Sequence, residues 1–357
     1  MWKYFLVSVF CLCTPIRQSS CQAVYKDVTT NAVFRLSGTT VPDQYDLRFE
    51  FQDFNGVDNL TFSGVANINI IVVSSTNVVT LNLRDLNVTN VTVADITSYS
   101  TRYLLVSEWV YLANDEQFEI RLDRTVPSGK HLRVSIMYVG NIRTDMTGLY
   151  LSSYEELGTT KWFAVTQFEP TYARRAFPCY DEPGYKATLN ISVVKQKHQI
   201  ALSNMPIQYT EPGLNQTETV YFAQTPPMSS YLVAIYVGEF VPSNNNRSDS
   251  STITVYTHQE LSNQTEYVLN EAPKHLRVLE EYTGMSYTLP KMDLLAVPDL
   301  SFGAMENWGI NNYQESYLLL SDESKTRMKM RSSIIVQHEF THQWFGNLVT
   351  CKWWDYL

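Results

Sequence analysis

An α+β chain of more than one domain is predicted by three observations. Alternating apolar patterning without a strong helix runs through the N-terminal part, helical spacing appears in the C-terminal part, and turn-forming clusters separate the alternating runs. The 357 residues, 44% of them hydrophobic, suffice for two domains. The division read from the patterning is 1–23, 24–240 and 241–357.

The first segment reads as a secretory signal. Met1-Trp2-Lys3 supplies a short positive start, Tyr4 to Cys13 is a largely apolar run of ten, and a polar stretch follows from Arg17 to Ser20. Such a run is too short to span a bilayer and suits a cleaved leader, with cleavage expected near Cys21 or Ala23. From Ala32 to about Phe240 the reading is all β. In Gly64 to Val73, Ala66, Ile68 and Ile70 alternate with Val65, Asn67 and Asn69, and Leu132, Val134, Ile136 and Tyr138 repeat the pattern. Pro127-Ser128-Gly129 is one of the turn clusters between strands. A sandwich and a saddle-like sheet both satisfy this pattern. The polar run Ser243 to Ser251 reads as a linker or loop. Beyond it, Tyr267 to Tyr282 has helical spacing, and Leu289 to Leu295 opens a strand-rich part. Lys325 to Gln337 contains no Gly or Pro, so a final helix is permitted, with Gly346-Asn347 as its stop after Phe345.

Composition excludes some functions. The net charge is −9 and no basic run of five or more occurs, so nucleic-acid binding has no electrostatic footprint. Of five cysteines, Cys11, Cys13 and Cys21 fall in the signal, which leaves Cys179 and Cys351 and no disulfide framework. Seven N-x-S/T sequons, at Asn59, Asn87, Asn90, Asn190, Asn215, Asn246 and Asn263, accompany the signal. Together they predict a glycoprotein of the secretory pathway, extracellular or at the cell surface.

The chemistry is concentrated near the C-terminus. Val336 to Trp354 reads VQHEFTHQWFGNLVTCKWW, and His338-Glu339-Phe340-Thr341-His342 is an H-E-x-x-H motif. On a helix, residues four apart share a face, so both imidazoles reach one metal ion, with the glutamate beside it as a general base. The line Ile334, His338, His342 is expected to begin apolar and become chemical, as a buried site would require. Two histidines do not complete a catalytic zinc site, which usually has three protein ligands and one open position.

A second motif, Gly303-Ala304-Met305-Glu306-Asn307, precedes the first and is followed by Trp308-Gly309. With TQFEPTYARRAFPCYDEPGYKA (Thr166 to Ala187) and TPPMSSYLVA (Thr225 to Ala234), this arrangement resembles the zinc aminopeptidases of the aminopeptidase N type. The resemblance runs from about Arg35 to Leu357. It implies an N-terminal saddle-like β domain followed by the first part of a thermolysin-like catalytic domain. It also implies one Zn2+ held by His338 and His342, with Glu339 as the catalytic base. Glu306 and Glu169 would anchor the ammonium group of a peptide with a free N-terminus, and Gln167 would shape the same pocket. The Gly303-Ala304 backbone would lie along the substrate, while Met305 and Asn307 support the pocket and line its first subsite. For Glu169 the residues leave an alternative open, a structural ion pair with Arg174 or Arg175.

By the same resemblance, the third zinc ligand is a glutamate that would fall beyond Leu357, so no residue here is assigned that role. Asp355 has nothing to support it as a ligand. Two readings therefore stand. One is a zinc-dependent aminopeptidase releasing N-terminal amino acids, with cell-surface attachment in a longer form. The other is a truncated, inactive secreted glycoprotein with a binding role or none.

Overall fold

The structure is a computed structural model that describes residues 24–25, 35–54, 60–244, 252–321 and 323–356. The signal reading at 1–23, the sequons at Asn59 and Asn246 and most of the polar run 243–251 lie outside the described residues.

The N-terminal part is built on an eight-stranded sheet. Its order is Ile207–Pro212, Thr217–Phe222, Thr188–Gln196, Thr40–Phe51, Thr61–Val72, His131–Asn141, Leu86–Asp95 and Arg102–Leu104. Neighbours are antiparallel except Thr188–Gln196, which runs parallel to Thr40–Phe51. The alternation read from sequence sorts the faces as expected. Ala66, Ile68 and Ile70 are buried, as are Leu132, Val134, Ile136 and Tyr138 on the neighbouring strand. They share one core with Val79, Leu81, Phe118 and Ile120 of a smaller sheet that includes Thr76–Asn82, Val106–Leu112 and Gln117–Val126.

Two glycines make the large aromatics of this core possible. Gly64 pairs with Tyr138, and a Cβ on Gly64 would lie 2.2 Å from Tyr138 Cζ. Phe62 pairs with Gly140 in the same ladder, where a Cβ would lie 2.5 Å from Phe62 Cε1. Each ring lies across the neighbouring strand because the residue opposite has no side chain.

A third sheet of four strands carries the chain toward the catalytic motifs. Its order is Gly148–Glu156, Thr159–Gln167, Ile235–Gly238 and Ile200–Ser203. Thr159–Gln167 ends directly before Phe168 and Glu169, which puts the T-Q-F-E motif at a strand end.

The C-terminal part has a five-stranded mixed sheet in the order Val241–Asn244, Thr252–Thr257, Lys291–Val297, Ile310–Gln314 and Ala304–Met305. The three central strands are parallel and both edges antiparallel. Ser243 and Asn244, read as linker, belong to the first of these strands, since they pair with Val255 and Thr254. Helix α1 (Glu266–Thr283) buries Val268, Leu269, Ala272, Leu276 and Leu279 on one face and stops at Gly284, whose φ of 68° is the left-handed cap that glycine favours. A short α2 (Glu315–Leu318) precedes α3 (Thr326–His342), which packs on α1. Among the described residues no helix is long and apolar enough to cross a membrane.

Two details of α3 differ from the expectation. The helix ends at His342 and not after Phe345, because the next turns are tight and irregular. Asn347 N–H donates to His342 O, and Gly346 N–H donates to Val349 O. The line that carries the histidines is also not the buried one. Ser332, Val336, Glu339 and Phe340 face the core, whereas Ile334 is 66% exposed. Glu339 therefore lies inside, and the imidazoles open outward.

Candidate active site

The last turn of α3 brings the two histidines together. Their rings lie nearly perpendicular, with centroids 4.7 Å apart, and their Nε2 atoms are 3.1 Å apart. His342 Nδ1 lies 3.0 Å from Phe345 O, a carbonyl that can only accept. Nδ1 therefore carries the proton, and Nε2 presents a lone pair toward His338. Two nitrogens on one tetrahedral zinc, each about 2.0–2.1 Å from the metal, would be about 3.3 Å apart. The pair suits two corners of such a site, and the Phe345 carbonyl orients one ring in the way that outer partners of metal-binding histidines do. Among the described residues no group of three or more His, Cys, Asp or Glu side chains is arranged to hold a metal, so a third protein ligand is not found there.

Three carboxylates from three elements converge beside the histidines. Glu339 faces inward from α3, Glu306 follows the Ala304–Met305 strand, and Glu169 follows the strand that ends at Gln167. Glu306 Oε1 lies 3.9 Å from His342 Nδ1. Burial pushes the Glu339 carboxyl up to about 9, with further upward pressure from Glu306 and Glu169. Burial and Glu306 together push Glu169 up to about 7, against a smaller opposing pull from His342. Burial also raises Glu306 above the usual carboxylate range. Among the described residues, no lysine or arginine forms an ion pair with any of the three. The arginines weighed as partners for Glu169 are engaged elsewhere: Arg174 with Asp181 and Glu116, and Arg175 facing Asp85 and Asp145. A cluster of acids left short of protein cations is a site prepared for a cationic occupant.

The remaining predicted residues stand on the same two strand ends as Glu169 and Glu306. Gln167 is fully buried, and its Nε2 lies 3.3 Å from Met305 Sδ. Asn312 Nδ2 donates to Thr166 O, which ties the T-Q-F-E strand end to the five-stranded sheet. Met305 and Asn307 are each 1% exposed. Gly303 and Ala304 are half-buried. Ala304–Met305 is the last strand of its sheet, paired only with Ile310–Gln314 among the described residues. The outer edge of that strand can receive an extended peptide by backbone hydrogen bonds. Gly303 also approaches the ring of Tyr317, where a Cβ would lie 3.0 Å from Cε2.

The chain matches the peptidase M1 N-terminal domain over residues 41–232 and the peptidase family M1 domain over residues 267–357. It belongs to the peptidase M1 family. Aminopeptidase M1-A of Oryza sativa subsp. japonica is 39% identical over 90% of this chain and 36% of its own length. Aminopeptidase M1 of Arabidopsis thaliana is 38% identical, with the same two shares of 90% and 36%. Glutamyl aminopeptidase of Bos taurus is 40% identical over 70% of this chain and 26% of its own length. The chain thus spans about a third of the length of the first two of these M1 relatives.

Several residues that shape this M1 site stand inside the segments quoted from the sequence without a role being read for them there. Gln343 and Asn347 are buried amides in the turn after α3, and both reach Glu306 O, at 3.4 Å and 2.9 Å. Lys186 and Tyr231 reach the same turn from the β domain. Their partners are distant in sequence, so local spacing does not state what they touch. Gln343 and Asn347 are four apart and continue the i, i+4 line that starts at Glu339.

Proposed function

We propose that this protein is a zinc-dependent aminopeptidase that removes N-terminal residues from peptides, with Glu306 and Glu169 as the amine anchor and Glu339 as the general base. The observation that carries the reading is the convergence of three cation-poor carboxylates on a pair of histidines with 3.1 Å between their Nε2 atoms. His338 and His342 would hold the metal. Bound zinc supplies a Lewis acid that polarises the scissile carbonyl and makes water acidic near neutral pH. The protonated amine of a peptide carries three donors and one positive charge. Glu306 and Glu169 together match it, and their charge demand is met when it enters. The free edge of Ala304–Met305 aligns the first residues of the substrate as an added strand. Gln167 and Met305 are buried against each other next to the two anchors in the chain. Glu339 faces the interior from the same turn of α3, and its carboxyl is raised by burial. A metal ion held by the histidines would offset that rise and leave Glu339 ionised, able to take a proton from the attacking water and deliver it to the leaving amine.

Free N-termini are thereby required, since acetylation removes the positive charge that the two anchors hold. The test is zinc-dependent hydrolysis of a leucine anilide. Turnover should vanish in Glu339→Gln, and tight zinc binding should vanish in His338→Ala. An enzyme that keeps its rate after Glu339→Gln overturns the reading.

We also propose that the protein is a glycosylated product of the secretory pathway, extracellular or at the cell surface. The exposure of the Asn87, Asn90, Asn215 and Asn263 sequons supports this, while Asn190 is half-buried and donates to Asp46. Deglycosylation of material made in a secretory cell should lower its apparent mass, and an unglycosylated product beginning at Met1 would contradict the proposal.

A further inference from the structure

The amine anchor and the metal-binding helix lie on different elements, and something must hold them in register. Glu306 follows an edge strand with one strand partner among the described residues, which by itself is a weak support. Asn347 is fully buried and touches both sides of the gap. Its Nδ2 donates to Glu306 O at 2.9 Å, and its backbone N–H donates to His342 O at 2.9 Å. Its Nδ2 also lies 3.2 Å from Gln343 Oε1, and Gln343 Nε2 in turn donates to Glu339 O at 2.9 Å. Asn347, through its side chain and its backbone N–H and with Gln343 beside it, therefore connects the residue that would anchor the amine with the helix end that carries both the second histidine and the candidate base.

A third attachment comes from the β domain. Lys186 Nζ donates to Asn347 O at 2.9 Å and to Leu348 O at 3.0 Å. Other β-domain groups secure the chain on either side of this contact. Tyr231 Oη donates to Gly346 O at 3.3 Å and its ring meets Trp354 edge-on, while the Arg35 guanidinium lies 4.4 Å over the ring of Trp353. The turn after α3 is thus gripped by the β domain, and Asn347 relays that grip to Glu306.

We propose that Asn347 is the positioning residue that sets the distance between Glu306 and the α3 histidines, and that Lys186 of the β domain fixes Asn347 for that task. The inference deepens the aminopeptidase reading, because it takes Glu306 as the amine anchor. It assigns the β domain a part in substrate geometry beyond supplying Glu169. Asn347 acts through Glu306 and touches no reacting atom.

The test joins backbone hydrogen exchange, read by mass spectrometry over residues 303–308, with kinetics on a leucine anilide. Asn347→Asp keeps the side-chain shape and replaces the donor by an acceptor facing the Glu306 carbonyl. Lys186→Met keeps the alkyl stem and removes both hydrogen bonds. The loss of one buried hydrogen bond should raise exchange at 303–308 about threefold to tenfold. Exchange in Thr61–Val72 should not change. KM should rise more than kcat falls, and in a Glu306→Gln background the Asn347→Asp effect on KM should disappear. A residue that merely supports the fold would raise exchange in both regions and keep its effect in that background. Unchanged exchange at 303–308 in both variants overturns the proposal. If exchange rises there while Glu306→Gln leaves KM at the parent value, the positioning role stands and the amine-anchor reading fails.

Discussion

Glu306→Gln is the substitution that bears most directly on how the site selects its substrate. The carboxylate is 9% exposed, and its Oε1 is 3.9 Å from His342 Nδ1. Burial raises its pKa, so the carboxylate form is held at a cost that a bound ammonium would offset. Glutamine keeps the volume and one acceptor but removes the charge. A hydrogen bond to a charged group contributes about 1.5–3 kcal/mol. At about 1.4 kcal/mol per tenfold in rate, the variant should lose about 10- to 150-fold in kcat/KM. Glu169 sits close enough to Glu306 for that carboxylate to raise it, and in the proposed reading the two share one ammonium. Their effects should therefore couple, with Glu169→Gln/Glu306→Gln falling short of the product of the single losses. The assay is hydrolysis of a leucine anilide by an active form of the protein, over a substrate range that separates kcat from KM. The parent should not cleave the acetylated substrate. A Glu306→Gln enzyme with the parent's kcat/KM, or full additivity of the two substitutions, would refute the shared-anchor argument.

Two further outcomes follow from the packing and the buried acids. Gly64→Ala forces a methyl into the Tyr138 ring, since a Cβ there would lie 2.2 Å from Cζ. It should cost about 1–3 kcal/mol, read as a lower urea midpoint at unchanged slope, and an unchanged midpoint would contradict the cross-strand account. Away from the catalytic cluster, Glu315 is pushed from 4.5 up to about 7 by burial and then by Asp299, with His258 Nε2 at 3.6 Å and Tyr154 stacked on that histidine. A raised carboxyl pKa means the folded state binds the proton more tightly, so this contribution is present at low pH and is lost as pH rises from about 4.5 through about 7. Wild type should therefore lose thermal midpoint relative to Glu315→Gln between pH 5 and pH 8, and a constant offset across that range would rule the linkage out. Burial moves His258 the opposite way, which is why the comparison is made with the variant rather than with wild type alone.

The strands and the catalytic motifs were legible in the sequence because both are local in character. Alternation at 66, 68 and 70 and at 132, 134, 136 and 138 states which side of a strand meets the core, and the burial of those residues agrees. Two histidines four apart on a helix must share a face, and their nitrogens do meet. The five residues from Gly303 to Asn307 and the T-Q-F-E segment each announced themselves by resemblance. The outward tilt of the Ile334 line was not legible, since periodicity names a face without saying what covers it. Nor was the end of α3, because Gly346 permits a stop while the hydrogen bonds of Asn347 and Gly346 bring it forward.

The sequence by itself determined the kinds of chemical group present and their spacing along each element, which follow from backbone geometry over a few residues. Only the tertiary structure decided how Glu169, Glu306 and Glu339 converge, how far their titration moves, and that the β domain holds the turn after α3 through Lys186 and Asn347. Those properties depend on burial and on contacts between residues separated by 30 to more than 160 positions, as with Lys186 and Leu348 at a separation of 162. Desolvation and long-range hydrogen bonds act through space, and a chain does not state its own distances until it has folded.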